Sequence, residues 1–538
     1  MPGSSFVELA DGVEFIDAMD KPSVGAGKPA AAANDACALD WAAEVRKMLA
    51  LALPSMMIQA NVFFVWMYNV AFAGQHLGSR EMAAVSLANL AGNLTALSIQ
   101  YGLIYALETL TSQAVGSGRL GDVGVLVQRC LVCCVLALIP GFALWLVMEH
   151  VLFALGQPPA VAALAARFLR LYAPGLPGMV LFEVLRRFLG CQDIVLPFVP
   201  ITAVVTWLGH PTLLALLLRL GFGFAAVPIA SAFSMWALAV LSLGYVALRR
   251  PHAPGTWEGF DLRRALSRDG MAQFLRLAIP GVASMSEWWY WEVVCACVGA
   301  LGEVQLASHA VAYSLVPMAV MAPIGASIAI AVRVGQLIGE GRPRHAKLVA
   351  GCAFGAGMAV VCSYSLLVSL SARSIIGFFT SEEASPQVFR ATLEVWPLVS
   401  VFLLCDGFYM TLNGVVRALS LQLHASVCVL LALWFIGLPA VLLVAFRTDA
   451  GLRGVWATLT PVYALLDVLC LAVVLRADWA GISARVRRGE DSADGLAVDG
   501  AAANPGATRA RDAVPPMAVV ADVALTTKRK PDAVTVRA

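Results

Sequence analysis

Twelve apolar stretches, each long enough to cross the roughly 30 Å hydrocarbon layer as a helix, dominate this chain of 538 residues. They run approximately over 48–73, 83–107, 125–148, 162–185, 194–218, 222–248, 274–299, 304–332, 346–370, 388–416, 421–446 and 452–475. Backbone polar groups inside a bilayer must be satisfied within the segment, so such runs can only be helices. Overall, 60% of residues are hydrophobic and 13% charged, against about 25% charged in soluble chains. The fold class expected is an all-α polytopic membrane protein of twelve transmembrane helices. A net charge of +2 leaves no basic excess for nucleic acid.

Basic residues at the breaks alternate in number. One side collects 21 of them, from Arg46 and Lys47 to Arg488, and the other 8. The positive-inside rule then puts both termini in the cytoplasm. Residues 1–40 lack an apolar core of signal-peptide length and read as a disordered tail, as do residues 479–538. Lys528, Arg529 and Lys530 read as part of a solvated tail. Eleven of the twelve cysteines lie in or beside apolar runs and read as small buried hydrophobes. Cys130 and Cys133 have C-x-x-C spacing, but nothing completes a metal site around them.

The two halves repeat. Pro54 and Pro280 stand 226 apart, Leu77-Gly78 and Leu301-Gly302 224, Gly116-Ser117-Gly118 and Gly339-Glu340-Gly341 223, and Pro174 and Pro397 223. An offset of six spans gives both halves the same direction through the membrane, a parallel repeat about an axis along the membrane normal. The expected organisation is an N-lobe over 45–250, a cytoplasmic linker over 251–271 and a C-lobe over 272–478, with a central cleft suited to alternating access.

A charge at the bilayer centre costs at least about 2.5–3.5 kcal/mol, so acids within spans are functional candidates. They are Glu183, Glu287, Glu292, Asp406 and Asp467, while Glu108 lies nearer a span end. Glu287 and Glu292 fall about 140° apart around a helix and are expected on different faces. Tyr290 and Trp291 flank Glu287, an arrangement suited to an organic cation. The 223 offset carries Glu183 onto Asp406, whereas Glu287 maps onto the neutral Asn61. No ATP loop, H-E-x-x-H or nucleophile elbow occurs, so no enzyme is expected.

Five sets of residues resemble the eukaryotic branch of the multidrug and toxic compound extrusion (MATE) transporters. Phe72 to Gly78, which includes Gly74, is similar to its Gly-His-Leu-Gly turn, and Ala106-Leu107-Glu108-Thr109-Leu110 with Gln113 to its A-L-E-T-L-x-x-Q-A-x-G segment. Leu275 to Pro280, Glu287-Trp288-Trp289 and Arg333-Val334-Gly335 resemble its L-x-L-A-x-P, E-W-W and R-V-x-N motifs. The chain departs from the pattern at Gln336, which replaces the amide of R-V-x-N, and at Arg417-Ala418-Leu419-Ser420, where the family has R-G-x-G. Asn69 stands where bacterial relatives carry an aspartate.

The resemblance implies a proton antiporter for drugs or metabolites, with two six-helix lobes and Glu287 and Asp406 as the C-lobe carboxylate site. Glu292 and Glu183 are further candidates for proton coupling or cation binding. Gln59, Asn61, Tyr290, Trp291, Tyr313 and Tyr409 are expected to line the cleft. Pro54, Gly74, Glu108, Pro280, Trp288, Trp289 and Arg333 are expected to act structurally. No cofactor is expected; the partners are a small organic solute, protons and the lipid bilayer, and the chain is expected to be a monomer in the plasma or vacuolar membrane. Two rivals are a lipid-linked oligosaccharide flippase of the same superfamily and a non-transporting receptor.

Overall fold

A computed structural model describes residues 40–380 and 385–489; of the tails expected at 1–40 and 479–538, residues 1–39 and 490–538, with Lys528 to Lys530, lie outside the described residues. Among the described residues, eleven helices are long and apolar enough to span a membrane: α1 (Trp41–His76), α2 (Arg80–Gly116), α3 (Leu120–Leu146), α4 (Pro159–Gly190), α5 (Phe198–Arg219), α6 (Gly223–Arg249), α8 (Glu303–Gly339), α9 (Pro343–Leu370), α10 (Pro386–Ala418), α11 (Gln422–Arg447) and α12 (Gly451–Arg476). The remaining span, α7, is two half-helices, Arg268–Ser284 and Ser286–Gly299. It was expected as one continuous helix. Pro280 removes a ladder donor, and the chain tightens at the joint, where the Met285 and Trp288 amides donate three residues back, to Val282 and Met285. A final helix, α13 (Trp479–Arg488), lies where composition suggested a tail. It buries Trp479, Ile482 and Val486 on one face.

Local chemistry sets the helix ends. The Asp40 carboxylate accepts from the amides of Ala42 and Ala43 and caps α1, and prolines open α4, α9 and α10. Gly78 and Gly302, the repeat-related turn glycines, take φ of 123° and 120°. Side chains at these positions would be strained.

Each half packs its own apolar core, one built mainly from α1–α6 and the other from α8–α12 with the second half of α7. The lobes then meet through repeat-related contacts. A Cβ added to Gly102 of α2 would sit 2.5 Å from Val282 Cα, and one on Gly325 of α8 would sit 2.5 Å from Met56 N; both pairs are related by the repeat. Nearer one end, Gly116 packs on the Gln336 backbone and Gly339 on that of Gln113. Backbone touches backbone there.

Two amides, Gln113 and Gln336, close that end. Gln113 Nε2 donates to Ala418 O (2.9 Å) and Ser420 Oγ (3.0 Å), and Gln336 Nε2 donates to Cys191 O (3.0 Å) and Asp193 Oδ1 (2.9 Å). Both receiving turns contain a non-glycine residue in the left-handed region, Asp193 at φ 67° and Ser420 at 59°. Gln336 and Ser420 are both among the departures from the resembled motifs, and each contributes a bond here. Arg333 adds an ion pair to Glu44 of α1, with Nε 2.8 Å from Oε2, and Lys47 Nζ lies 2.8 Å from Asp193 Oδ2. Ser483 of α13 donates to Ile338 O.

Gly116→Val should therefore force this end apart, at a cost of about 1–3 kcal/mol from overpacking. Faster maleimide labelling of a Ser420→Cys probe, with the exposed Cys352 and Cys362 replaced, would report the opening.

Candidate functional site

Between the lobes lies a cavity of about 250 Å³. Its C-lobe wall is formed by Glu287, Trp288, Trp291, Glu292, Tyr313 and Asp406. The break in α7 positions the first of these, because Glu287 falls in the first turn of the second half-helix, where the helix dipole favours an anion. Glu287 Oε1 accepts from the Tyr463 hydroxyl of α12 at 2.7 Å and from the Trp291 indole at 3.2 Å. Trp291 is held in turn by Phe402, Tyr313 and Tyr463, with ring centroids 5.1, 5.2 and 6.0 Å away. Glu287 and Asp406 are each 2% exposed. Among the described residues, no arginine or lysine pairs with Glu287, Glu292, Asp406 or Asp467.

The N-lobe presents different chemistry. Gln59, Asn69, Asn89, Asn93, Ser231 and Ser234 supply amides and hydroxyls, and the one N-lobe acid on the cavity, Glu183, is neutralised. Arg186 Nη2 lies 2.5 Å and Arg187 Nη2 3.7 Å from Glu183 Oε2. Arg187 Nη1 is also 2.6 Å from Glu108 Oε2. Arg417 of the C-lobe completes the cluster, 3.8 Å from Glu108 Oε1 and with its guanidinium 4.3 Å from the Tyr105 ring centroid. Glu183 and Asp406, equivalent in the repeat, thus differ in kind: one is half of an ion pair and the other a buried acid without a cation.

The expected cleft residues divide. Gln59, Trp291 and Tyr313 border the cavity. Asn61 does not: its side chain donates to Thr202 Oγ1 (3.1 Å) and accepts from the Trp207 indole (3.0 Å), tying α1 to α5. Tyr290 does not border the cavity either: its ring is fully buried against Trp434 at 6.3 Å. At i+4 from Glu287, Trp291 stands about 40° around the helix, whereas Tyr290 at i+3 turns about 60° the other way, towards α11. Tyr409 lines a small adjoining space with Glu287, Tyr105 and Arg417. Glu292 shares the cavity with Glu287 despite its angular separation, because the cavity wraps around the half-helix. Trp289 donates to Ser98 Oγ across the lobe interface.

Sequence reasoning missed Tyr463 and the burial of Arg186, Arg187 and Arg417. Arg186 and Arg187 follow Glu183 at i+3 and i+4, the spacing of a helical ion pair, and this signal was available. Nothing local announced Tyr463, 176 residues from its acceptor. The repeat does appear in the walls: Trp207 and Trp434, 227 apart, lie in π-helical turns and donate to Asn61 and Ser286.

One family model, MatE, matches the chain twice, at residues 54–216 and 281–443. The chain belongs to the MatE family. This MATE chain is 31% identical over 442 residues to multidrug and toxin extrusion protein 1 of Danio rerio, covering 82% of this chain and 74% of that protein. It is also 31% identical to the Homo sapiens protein of the same name, over 81% of this chain and 75% of that one. Its fold is similar to the crystal structure of the eukaryotic MATE transporter AtDTX14, with a TM-score of 0.78 at 24% identity, over 83% of this chain and 99% of that chain. The MATE chain is therefore an integral multi-pass efflux transporter of two six-helix lobes with a central cleft, and its family handles small organic solutes.

Removing one partner from a buried ion pair strands the other. Glu108→Ala should accordingly destabilise this MATE chain by about 3–5 kcal/mol, measured as loss of thermal stability in detergent.

Proposed function

We propose that the chain exchanges protons for organic cations by alternating access. One observation carries this reading: the C-lobe brings Glu287, Glu292 and Asp406 to one aromatic-walled cavity and gives none of them a basic partner. A buried carboxylate without a counter-charge is a costly arrangement, and two kinds of occupant relieve it, a proton or a cation. The two compete for the same oxygens. An organic cation also gains from the faces of Trp291 and Tyr313, so binding of one species favours departure of the other.

The excess of basic residues supports a cytoplasmic position for the end closed by Gln113 and Gln336. The solute then enters from the cytoplasm when that end opens and leaves on the opposite side as protons arrive. A single chain contains both lobes and the whole cavity, which supports a monomer. Lipid-linked diphosphates are a poorer fit, because Arg186, Arg187 and Arg417 are already committed to Glu183 and Glu108.

In proteoliposomes with an imposed proton gradient, the unaltered chain should accumulate tetraethylammonium, and Glu287→Gln or Asp406→Asn should lower the accumulation at least about tenfold. Full accumulation by Glu287→Gln would remove the carboxylate from the exchange.

A further inference from the structure

The N-lobe wall contains a buried imidazole that the exchange above does not use. His210 follows the π-helical turn Val205–Gly209 in α5 and has no exposed surface. Its Nε2 lies 3.0 Å from Asn69 Oδ1, and its Nδ1 lies 2.9 Å from Ser234 Oγ. The partners' own bonds describe one arrangement of hydrogens around the ring. With its hydroxyl proton on Ala230 O at 2.8 Å, Ser234 presents its oxygen to His210 as an acceptor. Ser231 likewise donates to Val227 O at 2.9 Å. Asn69 must then keep its NH2 group on Ser231 Oγ, at 2.9 Å, and present its carbonyl oxygen to His210. In that arrangement each ring nitrogen faces an acceptor, which the imidazolium, donating from both, satisfies.

A neutral ring is accommodated by one small change. The Ser234 hydroxyl turns from Ala230 O to Nδ1, and the Ala230 carbonyl keeps its helical partner. The cluster thus has two hydrogen-bonded states that differ by one proton and by one hydroxyl rotation. Asn69, Ser231 and Ser234 all border the cavity, so the change occurs in its wall.

We propose that His210 is a second proton-binding site, in the N-lobe wall, whose protonation opposes occupancy of the cavity by an organic cation. Few other ionisable groups face it. From α1, the Tyr68 ring stands edge-on at 5.9 Å. From α6 come the hydroxyls of Ser231 and Ser234, while the titrating residues of that helix, Tyr245 and Arg249, lie in its last turns. Within α5 the only other ionisable residue is Arg219, at the far end, and the π-helical turn carries none. Among the described residues no acid pairs with His210, so a charge on its ring is felt in the cavity. A cation there raises its cost, and emptying the cavity lowers it. Protons at the C-lobe carboxylates remove the attraction for the cation; a proton at His210 adds repulsion from the opposite wall.

The inference rests on the cation exchange proposed above, and one experiment separates the two. The purified full-length chain in weakly buffered detergent is mixed with tetraethylammonium, and the protons released per molecule are counted with an indicator dye across a pH series. The unaltered chain should release protons, and His210→Gln should release fewer, by up to about one per molecule. Ser234→Ala removes an acceptor that serves the charged ring better than the neutral one. It should therefore move the His210-dependent release to lower pH by about one unit, and it tests the site even if His210→Gln fails to fold. Equal release from His210→Gln at every pH, or an unmoved profile in Ser234→Ala, overturns the second site and leaves the carboxylate exchange standing. No release from the unaltered chain overturns both.

Discussion

The structure turns on the cost of holding a carboxylate inside a bilayer without a counter-charge. The chain handles that cost differently in its two halves. In the N-lobe, Glu108 and Glu183 are matched by Arg186 and Arg187, with Arg417 reaching in from the other lobe, and the charges become part of the scaffold. In the C-lobe, Glu287 has only hydrogen-bond donors, the Tyr463 hydroxyl and the Trp291 indole, and Asp406 has no arginine or lysine beside it. Neutral donors soften the burial of a charge without cancelling it. The C-lobe acids therefore stay responsive to whatever enters the cavity.

The proposed exchange requires the cavity to face each side in turn, and the repeat suits the lobes to that. Contacts between the lobes come in symmetry-related pairs: Gly102 on Val282 and Gly325 on Met56, then Gly116 on Gln336 and Gly339 on Gln113. Small residues let the backbones meet with little side-chain interlocking, so the interface can part as a unit. The Gln113 and Gln336 bonds and the Arg333–Glu44 pair hold one end shut. These are polar contacts that water can replace once the end opens, which suits a gate better than an apolar seal would.

Much of the fold was legible because membrane solvation leaves so few options. Apolar runs had to be helices, and Pro54, Pro280, Gly78 and Gly302 marked the repeat because their backbone constraints recur in both halves. The joint at Met285 was hidden, since no glycine or proline stands at the break itself and Pro280 acts from five residues away. Composition also hid α13, whose arginine-rich outer face reads like the tail that follows it. Glu287, Asp406 and Trp291 could be picked out as rare charges with aromatic neighbours. Asn61 and Tyr290 turn towards α5 and α11 because helix rotation is set by packing, which residue spacing along α1 and α7 does not encode. Tyr463 and the role of Arg417 depend on contacts between distant helices, and no local pattern specifies them.

The account stands on competition between proton and organic cation for the uncompensated C-lobe acids. The most direct measurement uses the unaltered chain in proteoliposomes with the membrane potential clamped at zero and no initial pH difference. A tetraethylammonium gradient is imposed, and lumenal pH is followed with a trapped dye. Protons should move opposite to the cation, building a pH difference in initially balanced vesicles; cation flux with an unchanged lumenal pH would contradict the account.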